Sequence, residues 1–363
     1  MTRIDRLRAV LRARKQAAML VTHPPDVRYL TGFTGSNAAV VVPAVAAGKR
    51  TVVLFTDGRY IQQARQQTRH AAVVIAQGPV LPEACAWMQK HKLPGCAIDA
   101  EHTTVAALEA MRRLIGGRAS RSFFHPADSP VATLRQIKDA QELRKMRAAA
   151  ALGCELFTSL LSRIEPGRPE IEIAAGLEAM ARNAGASGMS FETIVAGGPR
   201  SAMPHGVASM HRLPRRGFVV LDFGVVLDGY CSDMTRTVHL GPATRREREA
   251  YEAVEAAQLA AILAVRPGVA CAAIDDAARS VLQRARLAEH FTHSTGHGVG
   301  LEIHEGPRIA ARQTELLQRN MVITIEPGVY LPGRFGIRIE DEILVTGRGA
   351  EILTPAPKGW IEL

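Results

Sequence analysis

The chain has 363 residues, 47% of them hydrophobic, a length typical of two globular domains, and no apolar run reaches the ~20 residues of a membrane helix. The net charge of +10 comes from dispersed basic residues, and aromatic residues make up only 5% of the chain, so nucleic-acid binding is not expected. The five cysteines are scattered, which argues against a disulfide framework and, with no signal peptide at the N-terminus, predicts a cytoplasmic protein.

Residues 1–130 alternate segments typical of helices and of strands, which predicts an α/β domain. Strands are predicted at Ala39–Pro43, Thr51–Thr56, Ala71–Ala76 and Cys96–Asp99, and helices at Gly58–Thr68 and Thr103–Ile115. The turn-rich residues Thr31–Asn37 predict a loop. His125–Pro130 contains two prolines and is predicted to link this domain to a second one, residues 131–363.

The second domain begins with a long helical pattern and then repeats itself. The pattern spans Thr133–Ile164 and ends at a Pro-Gly pair, a common helix terminator. This pair and the predicted helix that follows it, Ile171–Ala184, recur 101 residues later with the helix Ile274–Ala288. The matched order of turn and helix predicts an internal duplication.

Each half of the repeat continues into a strand, a turn and a second strand, with two acidic residues. Asp222 and Asp233 lie in the first half, and Glu326 and Glu340 in the second. Four carboxylates in one cleft raise one another's pKa through repulsion and desolvation, so cations must balance them. No lysine lies in these strands, whereas carboxylates bridge two divalent metals about 3.5–4 Å apart in many hydrolases. The four acids therefore predict a dinuclear metal site.

Three of the twelve histidines, His293, His297 and His304, fall within one glycine-rich stretch. His297 is predicted to be the fifth metal ligand, since the glycines beside it allow the backbone to approach closely. One imidazole with four carboxylates favours Mn²⁺, although Co²⁺, Fe²⁺ and Zn²⁺ also bind such ligands. His205 and His304 flank the site and are predicted to shuttle protons or to stabilise a developing oxyanion.

Four motifs resemble those of the proline-specific branch of the "pita-bread" metallopeptidases: G-Y-C-S-D-M-T-R-T, S-T-G-H-G-V-G, T-I-E-P-G-V-Y and I-R-I-E-D-E. That branch holds the Xaa-Pro aminopeptidases and the Xaa-Pro dipeptidases, or prolidases. Residues 26–37 resemble the creatinase-type N-terminal domain, so nearly the whole chain is covered. The resemblance implies an α/β N-terminal domain (1–130) and an α+β pita-bread catalytic domain (131–363) with an internal pseudo-two-fold repeat.

The resemblance also implies how the two metal ions are held. Asp233 and Glu340 would bridge them, Asp222 would bind one ion, and His297 and Glu326 would bind the other. A homodimer is implied as well, because such enzymes usually assemble into dimers or larger oligomers.

The resemblance further implies a reaction on a proline-containing peptide. A hydroxide between the two metals would attack the carbonyl before proline, whose tertiary amide has no N–H. Glu326 would transfer the proton, while His205 and His304 would stabilise the tetrahedral intermediate. The residues implied to contact the substrate around its proline are His293, Arg338 and Tyr330.

Several other functions share this architecture. A metal-free amidinohydrolase like creatinase and a non-catalytic binding protein both predict loss of the ligands, yet all five are present. A methionine aminopeptidase is disfavoured by the N-terminal domain and by the 14-residue gap from Glu326 to Glu340. Between the two proline-specific enzymes, the full N-terminal domain and the compact length favour an aminopeptidase that removes the residue before proline from the N-terminus of peptides. The alternative is a dipeptidase, which must recognise a free carboxylate, for which Arg338 is one candidate.

Overall fold

The computed structural model describes residues 1–45, 51–117 and 120–363, which divide into two compact units, Met1–Arg135 and Gln136–Leu363. The helices of the first unit are α1 (Arg3–Ala13), α2 (Pro24–Thr31), α3 (Ile61–Gln67), α4 (Val80–Lys90), α5 (Val105–Ile115), α6 (Ser120–Phe123) and α7 (Pro130–Gln136), which ends at the boundary. Its strands are β1 (Ala18–Val21), β2 (Ala38–Pro43), β3 (Val53–Thr56), β4 (Ala72–Ile75), β5 (Cys96–Asp99) and β6 (Phe124–Ala127). The strands form one mixed sheet in the order β4-β3-β2-β1-β5-β6.

The α/β class predicted for this unit is confirmed, and its predicted strands and helices lie within two or three residues of the observed ones. The prediction of a linker over His125–Pro130 is wrong in its first half, because β6 pairs there in parallel with β5. Pro126 is tolerated because β6 is an edge strand, where a missing N–H breaks no ladder on the open side. The sequence pattern also missed β1, α2 and α4.

A buried ion pair holds α2 to the C-terminal end of this unit. Asp26 is 1% exposed and accepts hydrogen bonds from Arg135 Nη1 at 2.7 Å and from Ser129 Oγ at 3.3 Å. Burial raises the pKa of Asp26, but hydrogen bonding from His23 and the charge of Arg135 outweigh it, so the pKa falls below its usual value of 3.8. The ionised carboxylate is thus the stabilising form.

We expect Asp26→Asn to destabilise the first unit by about 3–5 kcal/mol at pH 7, because removing the charge of one partner from a buried ion pair is strongly destabilising. Since the folded-state pKa is lowered, the contribution of Asp26 is present above pH 3.8 and is lost as the pH falls through the folded pKa, so wild type and variant should converge in acid. Urea unfolding followed by Trp87 fluorescence in a Trp360→Phe background measures this. The exposed Asp128→Asn is the control, and an equal loss in both variants would contradict the prediction.

The second unit carries thirteen strands and four helices among its described residues. The helices are α8 (Ala140–Leu160), α9 (Glu170–Asn183), α10 (Arg245–Ala264) and α11 (Cys271–Arg284). The strands are β7 (Gly188–Met189), β8 (Ile194–Gly197), β9 (Gly217–Phe223), β10 (Val225–Leu227), β11 (Tyr230–Cys231), β12 (Met234–Leu240), β13 (Gly296–Gly298), β14 (Glu305–Ile309), β15 (Val322–Ile325), β16 (Gly328–Leu331), β17 (Phe335–Arg338), β18 (Asp341–Thr346) and β19 (Gly349–Ile352). In the part of the chain that is described, no helix is both long and apolar enough to cross a membrane.

The strand order of the second unit confirms the predicted repeat. One sheet has the order β8-β9-β12, and the five-stranded sheet β14-β13-β15-β18-β19 contains the matching order β13-β15-β18, in which β13 corresponds to β8, β15 to β9 and β18 to β12. The helices α9 and α11 occupy equivalent places in the two halves, each following its Pro-Gly pair. Each half has an apolar core of its own, which includes β9 in the first half and β15 in the second.

The single long helix predicted over Thr133–Ile164 is wrong, because α7 and α8 are separated at residues 137–139. Asp139 caps α8, accepting hydrogen bonds from the backbone N–H groups of Gln141 and Glu142, while the Glu142 carboxylate accepts from the backbone of Asp139. This reciprocal capping box satisfies the N–H groups that begin a new helix. Apolar periodicity alone continued through the break and concealed it.

Candidate active site

Successive side chains of a strand point to opposite faces of the sheet, and this alternation brings Asp222 and Asp233 to the same face of the paired strands β9 and β12. On β9, Leu221 and Phe223 pack into the apolar core of the first half, so Asp222 between them points to the opposite face. Asp222 pairs with Thr235 of β12, and Asp233, two residues before Thr235, shares its face. The two acids are 7% and 4% exposed.

The second half of the repeat supplies two acids in the same manner. Ile325 and Asp341 form the last pair between β15 and β18, so Glu326 and Glu340 lie at the same end of these strands. Glu340 is 2% exposed. Its backbone N–H donates to the carbonyl of Thr235 at 3.1 Å, which joins the acids of the two halves.

His297 lies on β13, where the backbone is crowded. A Cβ atom at Gly296 would lie 1.9 Å from the carbonyl oxygen of Thr324, and one at Gly298 would lie 2.1 Å from that of Gly306. No side chain fits at either position, so both glycines are needed to bring His297 to the acids. The structure thus supports the reason given for the glycine-rich motif.

The imidazole of His297 is oriented as a ligand would be. Its Nδ1 lies 3.0 Å from the carbonyl oxygen of Gly298, which fixes the proton on Nδ1 and leaves the lone pair on Nε2. Nε2 lies 3.4 Å from Glu326 Oε1 and 3.6 Å from Asp233 Oδ2. A backbone carbonyl on the far nitrogen is the usual arrangement around a metal-bound histidine.

The charges of this site are unbalanced without cations. Burial and the carboxylates of Glu340 and Asp222 raise the pKa of Asp233 well above its usual range, and burial, Glu326 and Asp222 raise the pKa of Glu340 likewise. Asp222 Oδ1 is buried with no hydrogen-bond partner among the described residues. Donor atoms of Asp233, His297 and Glu340 lie within 4.8 Å of one another. The oxygen-rich donor set therefore fits divalent metal ions.

Two threonines, which the sequence did not single out, support the ligands. Thr235 Oγ1 donates to Glu340 Oε2 at 2.6 Å and accepts from Arg338 Nε at 3.1 Å. Thr324 Oγ1 lies 3.2 Å from Glu326 Oε1, to which it donates, and accepts from the backbone N–H of His297 at 3.1 Å. Each lies two residues along the chain from a predicted ligand, and this alternation was the only signal in the sequence.

We expect Thr235→Val to weaken Mn²⁺ binding about 10- to 100-fold, as loss of a hydrogen bond behind a metal ligand commonly does. Valine keeps the shape of threonine but removes the donor to Glu340. Competitive Mn²⁺ titration against a fluorescent chelator gives the affinity. The Thr237 hydroxyl bonds to the backbone of Arg338 and, among the described residues, to no carboxylate. Thr237→Val is therefore the matched control, and an equal loss of affinity in the control would contradict this role of Thr235.

Arg338, Tyr330 and His293 form a chain of hydrogen bonds beside Asp222. Arg338 is 4% exposed, and its guanidinium donates to Asp222 Oδ2, to Tyr330 Oη at 2.6 Å and to the carbonyl of Pro204 at 3.0 Å. Tyr330 Oη lies 3.0 Å from His293 Nε2. Burial and the charge of Arg338 lower the pKa of His293 to about 4. The imidazole is therefore neutral, and its Nε2 accepts a hydrogen bond from the Tyr330 hydroxyl, while the implied contact of these three residues with substrate stays a prediction.

The two remaining predicted histidines lie on the wall of a cavity of about 720 Å³ that also contains the five predicted ligands. His304 packs edge-on against His297, with ring centroids 4.4 Å apart. Burial and the nearby His297 and His205 lower the pKa of His304. His205 reaches the cavity from the segment between β8 and β9. The structure thus brings all ten predicted site residues together, nine of them, His205 and His304 included, on this wall and Tyr330 behind it, within hydrogen-bond distance of Arg338 and His293.

Arg308 is a cavity residue that the sequence analysis missed. It lies on β14 and is exposed, and it lines the same cavity. Its side chain has no ion-pair or hydrogen-bond partner among the described residues, in contrast to the fully engaged side chain of Arg338. Its position four residues after His304 in the sequence was the available signal.

Comparison with known proteins extends over nearly the whole chain. Residues 144–347 match metallopeptidase family M24, and residues 3–137 match the Creatinase/Prolidase N-terminal domain. The uncharacterized peptidase YqhT of Bacillus subtilis (strain 168) is 34% identical over 345 residues, which is 95% of each protein.

Two solved structures are similar to this one. The Xaa-Pro dipeptidase from Bacillus anthracis is 36% identical and has a TM-score of 0.94 over 99% of both chains. The X-Pro aminopeptidase from Thermotoga maritima MSB8 is 35% identical and has a TM-score of 0.87 over 95% of this chain and 97% of that one. These likenesses confirm the architecture expected from the sequence, an α/β N-terminal domain followed by a pita-bread domain.

Proposed function

Because this chain belongs to metallopeptidase family M24 and is an enzyme of its Xaa-Pro dipeptidase and aminopeptidase group, we propose that it hydrolyses Xaa-Pro dipeptides with two divalent metal ions. The observation that carries this proposal is the meeting of the five proposed ligands in one cavity with Arg308, whose side chain is unpaired among the residues that the structure describes. A metal-free hydrolase needs no such ligand set.

The metal ions would be held by Asp222, Asp233, His297, Glu326 and Glu340. Four carboxylates and one imidazole favour Mn²⁺ over softer metals. Two such ions supply Lewis acidity and bring the pKa of a bound water near neutrality. The homodimer and the cytoplasmic location expected from the sequence stay predictions.

Glu326 is the proposed proton carrier of the chain. Its side chain is only 17% exposed, and burial, opposed by the charge of Arg338, raises its pKa to about 7 in the metal-free site. A buried carboxylate that faces the cavity beside the other proposed ligands is suited to accept a proton from the attacking water and to deliver it to the proline nitrogen. His205 and His304, which face the same cavity, are placed to donate to the oxyanion that develops on the scissile carbonyl.

Arg308 favours a dipeptidase over an aminopeptidase. The carboxylate of an Xaa-Pro dipeptide lies one residue after the scissile bond, and an arginine matches a carboxylate with two parallel hydrogen bonds. Arg338 is fully engaged with Asp222, Tyr330 and Pro204, whereas Arg308 is unpaired among the described residues and lines the cavity. The name of the B. anthracis relative, Xaa-Pro dipeptidase, supports the same choice. The T. maritima relative keeps the aminopeptidase as the second candidate.

The test is hydrolysis of Ala-Pro, Ala-Pro-amide and Ala-Pro-Ala by metal-stripped enzyme, with and without added Mn²⁺. Metal-dependent cleavage with a clear preference for the free dipeptide is the expected result. Preference for the tripeptide would establish the aminopeptidase instead. Failure to cleave any of the three, with Mn²⁺ bound, would overturn both.

A further inference from the structure

A glutamate outside the ligand set clamps the segment that carries His205. Glu170 is the first residue of α9 and is 0% exposed. Residues 198–209, here called the His205 segment, leave the end of β8 with a short 3₁₀ turn, Gly198–Ala202. The segment then passes the cavity at His205 and returns to α9.

The carboxylate of Glu170 binds both ends of this segment. At the start, the backbone N–H of Gly197 donates to Oε1 at 3.0 Å and Arg200 Nε donates to Oε2 at 3.0 Å. At the end, the backbone N–H and the hydroxyl of Ser209 donate to Oε2 at 3.2 and 2.8 Å. Arg200 in turn donates to the carbonyl of Val207 at 2.8 Å. One buried charge thereby fixes the distance between the two ends.

The tip of the segment has little packing of its own. Met203 is 53% exposed, and His205 is exposed as well. The tip is tied instead by two bonds, from Arg338 Nη1 to the carbonyl of Pro204 at 3.0 Å and from the backbone N–H of Gly336 to Ser201 Oγ at 2.8 Å. Because the tip is exposed and few bonds hold it, the position of the segment depends strongly on how firmly its two ends are held.

The two halves of the internal repeat can be compared to ask whether the fold itself requires the Glu170 carboxylate. In the first half, the backbone N–H groups that begin α9, at residues 170 and 171, donate to the carbonyls of His211 and Ser209, both at 2.9 Å. In the second half, the N–H groups at residues 271 and 272 donate to the carbonyls of Glu315 and Gln313, again at 2.9 Å. The residue equivalent to Glu170 is Cys271, which is also 0% exposed. The backbone arrangement therefore forms without a carboxylate, and the carboxylate occurs in the half that carries His205.

From this comparison we infer that Glu170 is a positioning residue of the active site, which sets the place of His205 by holding both ends of its segment. Glu170 contacts neither the ligands nor the cavity. Its effect on the reaction passes through His205 and rests on the proposed function. Because a displacement of about 1 Å in a catalytic group can lower the rate 100-fold, the clamp matters for kcat more than for substrate binding.

The test is Glu170→Gln, which keeps the size of the side chain but turns one acceptor into a donor facing the N–H groups. We expect kcat for Ala-Pro to fall about 10- to 100-fold, with KM within about twofold and with the bound Mn²⁺ unchanged. Amide hydrogen exchange of the His205 segment, measured without substrate, should rise at least about tenfold. Glu172→Gln makes the same chemical change on the exposed face of α9 and should alter none of these quantities.

A double-mutant cycle with His205→Ala tests whether Glu170 affects the reaction through His205. If Glu170 acts through His205, Glu170→Gln should lower kcat little further once His205 is absent. Full additivity of the two losses, or unchanged exchange of the His205 segment, would overturn the inference. If Glu170→Gln does not fold, Ser209→Ala removes one bond of the clamp and should give the same effects at smaller size. Wild-type enzyme that cleaves no Xaa-Pro peptide would sink the proposed function, while the exchange data alone would still decide whether Glu170 holds the segment.

Discussion

Replacing Glu340 with glutamine is expected to remove bound metal and activity together. Glutamine has the same shape, but its neutral amide withdraws one of four carboxylates and turns a donor N–H₂ toward the site. Loss of a metal's charge stabilisation amounts to several kcal/mol, so kcat should fall by about 10³-fold or more at ~1.4 kcal/mol per decade. Elemental analysis should give fewer than the proposed two ions per chain.

Thermal unfolding with and without Mn²⁺ provides a reading that does not depend on substrate. A metal ion at a free concentration of 100 times its Kd stabilises the protein that binds it by about 2.7 kcal/mol. Mn²⁺ should therefore raise the Tm of the wild type clearly and the Tm of Glu340→Gln much less. Glu351 lies on β19 and forms an exposed ion pair with Arg147 of α8. Glu351→Gln makes the same chemical change there and serves as the control. Unchanged metal content and activity in Glu340→Gln would rule out the dinuclear site.

The proposed ligand set could be predicted from the sequence because each proposed ligand lies in a local pattern. Asp222 and Glu326 each stand at the end of an apolar strand, and a buried strand that ends in a carboxylate is uncommon without a partner. The duplicated order of helix and hairpin predicted that the acids of the two halves would meet, and the bond from the Glu340 N–H to the Thr235 carbonyl joins them. His297 was identified through its flanking glycines, whose crowded surroundings explain why no other residue fits there.

The supporting residues were not accessible, because their roles depend on contacts between distant parts of the chain. Glu170 lies 35 residues from His205 in the sequence, where it cannot be distinguished from other acidic residues at the start of a helix. Arg338 and Arg308 cannot be told apart by residue type, yet one is buried in an ion pair with Asp222 and the other is exposed in the cavity. Only the fold decides which arginine is left to meet a substrate.

This difference between the two arginines leads to the second large effect, at Arg308. We expect Arg308→Met to lower kcat/KM for Ala-Pro about 30- to 150-fold, since a hydrogen bond to a charged group is worth about 2–3 kcal/mol and each 1.4 kcal/mol is a factor of ten. The loss should fall mainly on KM, because the carboxylate is present in the ground state and the transition state alike. Initial rates over a range of Ala-Pro concentrations separate the two parameters.

Ala-Pro-amide supplies the decisive comparison, because it keeps the scissile bond and lacks the charge that Arg308 is proposed to bind. Wild type should therefore favour Ala-Pro over its amide, and Arg308→Met should abolish that preference while cleaving the amide at the wild-type rate. Arg319→Met, at another exposed arginine outside the cavity, should preserve the preference. An equal loss on both substrates would mean that Arg308 supports the cavity wall and does not bind the substrate carboxylate. The aminopeptidase, which needs no cation at that position, would then be the favoured function.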